Sequence, residues 1–242
     1  MAHGAPDYSN VRKEEFVYRV DDMAELSARL HRGVSLERRG ETVFFETFEQ
    51  GVNSWDMSSF GTGASAKLTA DDFVSKGFAV ELIGGSDGAL QASINYELPL
   101  LSMSKIGLEC RWKQFANINT LTIYIDYYDG TNLNAGFLRY RPTLETLTIR
   151  NSDNVFETVA SGVTAPPDAE LWDFMKVVID TNTLKYVRGM YNNNRVDLSS
   201  YDLYQLADAG AKRMVGVGLV ESVSGQNGKA IIDNIIVTRN ET

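Results

Sequence analysis

The chain has one cysteine and two histidines in 242 residues, and both scarcities exclude chemistry. Cys110 has no second cysteine for an internal disulfide. It stands in an alternating stretch, Leu108–Trp112, where a small buried thiol is expected. His3 and His31 both lie near the start of the chain, so a Cys–His pair, a serine triad or a histidine metal site lacks its parts. Phosphate-binding glycine patterns and Cys/His zinc spacings are absent too. Basic residues are short: 23 Lys and Arg against 32 Asp and Glu give a net charge of −9, without a segregated basic cluster. Such a surface repels phosphate backbones, so nucleic acid is not an expected partner. There is no apolar run long enough to span a bilayer, so no membrane partner is expected. Positions 1–20 contain Asp7, Glu14 and Glu15 and no apolar core, unlike a secretion signal, so the expectation is a chain made in the cytoplasm.

What is present is a hydrophobic fraction of 43%, enough to bury a core. Residues 1–20 read as a polar, extended arm with Gly4 and Pro6 as breakers. Asp21 and Asp22 then cap a short amphipathic helix on which Met23, Leu26 and Leu30 recur at helical spacing, and Gly33 stops it. From Glu41 the period becomes two. Runs such as Thr42–Phe48, Phe78–Ile83, Leu90–Leu98, Ile106–Phe115, Leu121–Tyr128 and Gly136–Arg141 are rich in Val, Ile, Thr, Tyr and Phe. Leu144–Arg150, Phe174–Asp180, Leu184–Tyr191, Met214–Val220 and Ile231–Thr238 continue the pattern, and a short helical turn is expected around Ser199–Leu206. The division is an arm and helix over 1–40 and an all-β, antiparallel two-sheet sandwich over 41–242.

Three stretches carry a family resemblance: the strand-acid-Gly-Trp opening around Phe44–Trp55, the Trp172–Asn193 pair of alternating strands, and the closing strand with Asp233 and Asn234. Their order resembles the concanavalin A-like, jelly-roll sandwiches of the laminin-G and carbohydrate-binding-module type. The arm and helix resemble the start of tailed-phage structural proteins, which implies docking on neighbouring subunits through Tyr8, Val11, Met23, Leu26 and Leu30.

Glucanases of this superfamily carry Glu-x-Asp-x-x-Glu, and this chain has no such run. Glu46 and Glu49 stand three apart, as do Asp126 and Asp129, so each pair splits across a regular strand's two faces. The expectation is therefore a chain that is not an enzyme. The resemblance implies a possible structural calcium ion where the first and last strands meet, at Glu49, Asn53 and Asp233. Aromatic faces with amides around them suit a glycan, and Trp55, Tyr124, Tyr128, Tyr191 and Asn193 are the candidates. Tyr124 and Tyr128 share strand parity and Tyr127 opposes them.

Two functions follow as expectations. The first is a virion structural protein, made in the host cytoplasm and placed in the virion as a capsid decoration or accessory subunit that forms a homo-oligomer or contacts the major capsid protein or sister subunits. The alternative is a carbohydrate-binding, lectin-like protein, and a virion-surface sandwich that binds host glycans would combine the two.

Overall fold

The computed structural model describes residues 39–74, 77–88, 90–98, 104–165 and 171–242. In chain order its strands are β1 (Glu41–Glu46), β2 (Asp56–Phe60), β3 (Ser65–Thr69), β4 (Ala79–Ile83), β5 (Gln91–Leu98), β6 (Lys105–Gln114), β7 (Ile118–Tyr128) and β8 (Asn132–Arg141). They continue as β9 (Thr146–Arg150), β10 (Phe156–Ser161), β11 (Asp173–Asp180), β12 (Lys185–Tyr191), β13 (Asn194–Asp197), β14 (Tyr204–Ala207), β15 (Arg213–Ser222) and β16 (Lys229–Arg239).

These strands build two eight-stranded antiparallel sheets. Sheet A runs β13-β12-β11-β6-β16-β4-β3, with β1 also on β16; sheet B runs β10-β9-β8-β7-β15-β5-β2, with β14 beside β8. Strand β16 serves two neighbours on one edge. Its first residues pair with β4 and its last with β1. Between them the pairing with β6 breaks after Asp233, and Asn234 takes φ +51°. The Asp233 carboxylate accepts hydrogen bonds from Val74 N (2.8 Å) and Asn234 N (2.6 Å), which gives the bulge its local partners.

The alternating runs of the sequence become the inner faces. Ile106, Leu108, Cys110 and Trp112 of β6 meet Leu121, Ile123 and Ile125 of β7 in one core. The sheets approach closely at Gly136, where a Cβ would stand 2.4 Å from Ile179 Cγ2. Cys110 is free, buried and held as a thiol by its apolar surroundings.

The structure corrects one local expectation. Around Ser199–Leu206 there is no helix: Asp202 bridges to Lys185, and Tyr204–Ala207 is strand β14, paired with Asn132–Ala135. The one helical turn among the described residues is the 3-10 turn at Pro142–Leu144. The expected arm and helix, with Tyr8, Val11, Met23, Leu26 and Leu30, lie outside the described residues.

Candidate functional site

The parity of β7 decides which side chains reach the outer side of sheet B. Leu121, Ile123 and Ile125 turn inward, so Thr122, Tyr124, Asp126 and Tyr128 stand on the opposite face. Strand register extends that face sideways. Arg139, Phe137 and Ala135 of β8 lie opposite Thr122, Tyr124 and Asp126. Val217, Val215 and Arg213 of β15 lie opposite Tyr124, Asp126 and Tyr128. Arg150 of β9 pairs with Phe156 of β10, and Tyr204 of β14 pairs with Ala135.

On this face, cations rest on rings. The Arg139 guanidinium carbon is 3.5 Å from the Phe156 ring centre, that of Arg150 is 4.0 Å from Tyr204, and that of Arg213 is 3.8 Å from Tyr128. Tyr124 and Phe137 stack at 4.4 Å, and Phe156 meets Phe137 edge-on at 6.1 Å. Guanidinium over aromatic is favourable and fixes the planar fork; Arg139 Nε also donates to Thr122 Oγ1 at 3.4 Å and Arg150 Nε to Asn154 Oδ1 at 2.5 Å. Arg139 is also 3.7 Å from Glu221 Oε1, and Thr120 Oγ1 donates to Glu221 Oε2 at 2.8 Å. Neither Arg150 nor Arg213 has an ion pair among the described residues.

Asp126 sits between Ala135 and Val215, which offer its carboxyl no polar contact. Burial therefore raises its pKa from 3.8 to about 7, against the pull of Arg150 and Arg213 toward the charged form. Among the described residues nothing hydrogen-bonds to it. Burial also raises the Tyr124 phenol well above its usual range, with Asp126 and Tyr128 adding to the effect. The face thus holds a carboxyl poised near neutrality and a phenol that stays protonated.

A residue of the opposite sheet fixes the floor. Strand β8 pairs with β14 up to Ala135 and with β9 from Arg139, which leaves the Phe137 amide in a gap. Tyr186 of β12 reaches across the core to fill it. Its hydroxyl accepts from Phe137 N at 2.9 Å and donates to Arg150 O at 2.8 Å. One buried phenol thereby ties together the main chain beneath the Phe137 ring and the Arg150 guanidinium.

The expected glycan residues separate. Tyr124 and Tyr128 are on this face, and Tyr127 turns toward the core as parity requires. Trp55 is 7% exposed, packed against Phe44, Phe48 and Tyr96, with its indole N–H donating to Glu46. Tyr191 is fully buried and stacks on Tyr140 at 4.0 Å. Neither presents a ring to a ligand: both are core residues. Asn193 is exposed in the turn between β12 and β13, in the other sheet.

The calcium positions also differ in kind. Asp233 is fully buried and engaged with two main-chain amides, whereas Glu49 and Asn53 are exposed. Among the described residues no group of three or more His, Cys, Asp or Glu could hold a metal. Nor does any helix among them suit a membrane span.

No protein-family model and no curated protein matches the chain. Solved structures do. An endo-β-1,4-glucuronan lyase from Trichoderma reesei superposes with a TM-score of 0.55 at 9% identity, over 82% of this chain and 96% of the lyase. Cellulose induced protein Cip1 gives 0.53 at 14%, over 81% and 96% of the two chains. The carbohydrate esterase of the Shiga toxin-encoding bacteriophage phi24B gives 0.51 at 15%, over 84% and 100%. A virion structural role draws no support from these likenesses. The expectation that the chain is not an enzyme, drawn from the missing glucanase run and the scarcity of histidine and cysteine, is overturned, because the fold is shared with a lyase and an esterase. What the likenesses carry is the fold, a two-sheet jelly-roll sandwich of the concanavalin A-like type.

Proposed function

We propose that the outer face of sheet B binds a carbohydrate bearing carboxylate groups. The observation that carries this reading is the set of three guanidinium groups laid over aromatic rings on one sheet face of a chain whose net charge is −9. Guanidinium forks match carboxylates in bidentate geometry, and stacking on rings pre-organises them. Ring edges and Val215 of β15 supply apolar surface for the C–H faces of sugars. Two further polar atoms on β8 and β9, Arg141 Nε and Thr148 Oγ1, are buried and make no hydrogen bond among the described residues. A polysaccharide lyase and a carbohydrate esterase share this fold, which agrees with a saccharide ligand.

Calorimetric titration with linear polymers of glucuronic, galacturonic and mannuronic acid, and with neutral glucans, tests the reading. It expects binding of at least one polyuronate, lost in Arg150→Ala, and weak or no binding of neutral glucans. Binding of neutral glucans alone, or binding indifferent to Arg150, would overturn it.

A further inference from the structure

Asp126 lies in the middle of a face furnished with arginines and rings, and among the described residues no hydrogen bond reaches it. Its neighbours along β7 are Tyr124 and Tyr128, each two residues away and on the same side. Arg150 and Arg213 are near enough to act on its charge. A carboxylate left bare at the centre of an anion-binding face opposes the ligand's own charge. For binding alone it is a liability; for moving a proton it is well placed.

We infer that the site cleaves the polyuronate it binds by β-elimination, with Asp126 as the base and Tyr124 as the acid. This rests on the reading that the face holds a carboxylated saccharide. Arg150 and Arg213 neutralise the C6 carboxylate of the bound uronate, which makes the adjacent C5–H acidic. Asp126 takes that proton, and the C5–H electron pair becomes the C4=C5 double bond. The C4–O bond breaks, and the departing glycosidic oxygen takes its proton from the Tyr124 hydroxyl. Asp126 then returns a proton to the tyrosine through solvent. The products are one fragment with a new reducing end, carrying the released oxygen as a hydroxyl, and one whose non-reducing end is a 4,5-unsaturated uronate; no water, oxidant or reductant is consumed.

Two features fit these roles. The raised proton affinity of Asp126 matches a base working near neutral pH, where both of its protonation states are populated. Tyr124 is kept as a phenol, the form that donates. The other outward carboxylate near the arginines, Glu221, is engaged by Thr120 and Arg139. Elimination needs a single base and a neutralised substrate carboxylate, and it draws on neither Glu221 nor Glu97, which stands in the same row as Asp126 one strand beyond β15.

The experiment incubates the full chain with whichever polyuronate it binds and follows the ultraviolet absorbance of the conjugated double bond. The unaltered protein is expected to generate it. Asp126→Asn and Tyr124→Phe are each expected to keep binding within about threefold and to lose about a hundredfold or more in rate. Binding without unsaturated product, or full rates in both variants, overturns elimination and leaves the binding reading intact. Absence of polyuronate binding overturns the binding reading and the inference with it.

Discussion

The outer sides of the two sheets use the same residue types in opposite ways. On sheet A charges are matched within the protein. Glu81 lies between Lys67 (3.0 Å) and Lys229 (2.5 Å), and Lys176 between Glu109 (3.2 Å) and Glu241 (2.8 Å). Arg188 joins Glu241 and donates to the Thr242 carbonyl at 2.6 Å. Lys176 is fully buried, and Arg188 and Glu241 are nearly so. On sheet B the arginines lie on rings, Arg139 alone of the three also meets a carboxylate, Glu221, among the described residues, and a half-buried carboxyl has no hydrogen bond among them. Burial with internal matching is how a fold tolerates charge. Charge held in place but left unmatched is how a fold presents it to a ligand.

The largest effect tests the sheet A half of this contrast. Glu241→Ala removes the carboxylate shared by Lys176 and Arg188. Chemical denaturation should show a loss of about 3–5 kcal/mol, because two buried cations lose a carboxylate they share. Arg150→Ala should behave in the reverse manner. Its stability cost is expected to stay near 1 kcal/mol or below, while polyuronate affinity falls about tenfold to a hundredfold by calorimetry. A large stability loss with unchanged binding would collapse the distinction between the two faces.

Acidity gives a finer test. The Asp126 carboxyl titrates near 3.8 when unfolded and about 7 when folded, so the folded state holds the proton more tightly. Its contribution to stability is full below the unfolded value and is lost as pH rises toward 7. Asp126→Asn should therefore be more stable than the unaltered protein by about 1–2 kcal/mol at pH 8 and no more stable at pH 4, read from paired denaturation curves. The charged or titratable groups facing Asp126 are Tyr124 and Tyr128 on its own strand, Arg213 of β15, Arg150 of β9, Tyr204 of β14 one strand beyond β8 and Glu97 of β5 one strand beyond β15. As Asp126 ionises on raising the pH through about 7, affinity for an anionic saccharide should weaken several-fold, and Asp126→Asn should flatten that dependence.

The smallest effect is a control on the edge of sheet A. Asn193→Ala, in the exposed turn after β12, should change neither stability beyond about 0.5 kcal/mol nor polyuronate binding.

The sequence was legible where one period dominated. Buried strands such as β6, β7 and β16 announce themselves through alternating or continuous Val, Ile and Leu, and parity of β7 put Tyr124 and Tyr128 on one side and Tyr127 on the other, while which side lies outward came from sheet packing. Strands β2, β3, β10 and β13 went unread because they are short, polar and half-exposed, so edge pairing rather than burial makes them strands. In β14 the stretch Tyr204–Ala207 mimicked a helical turn until tertiary pairing with β8 decided it. Trp55 and Tyr191 looked like ligand platforms because aromatic character does not reveal which side of a sheet a ring faces. The arginine set was hidden for a different reason. Arg139, Arg150 and Arg213 come from three strands, and only register and sheet order bring them to one face. Tyr186 was hidden likewise, since its role depends on a gap between two other strands on β8.

The central claim is that the outer face of sheet B recognises carboxylates through its ring-borne arginines. Its most direct test is a titration of the protein with a uronic acid oligosaccharide and with the same oligosaccharide after reduction of its carboxyl groups to alcohols. The account predicts that reduction lowers affinity at least tenfold and that Arg150→Ala removes most of the difference. Equal affinity for the acidic and the reduced ligand would contradict it.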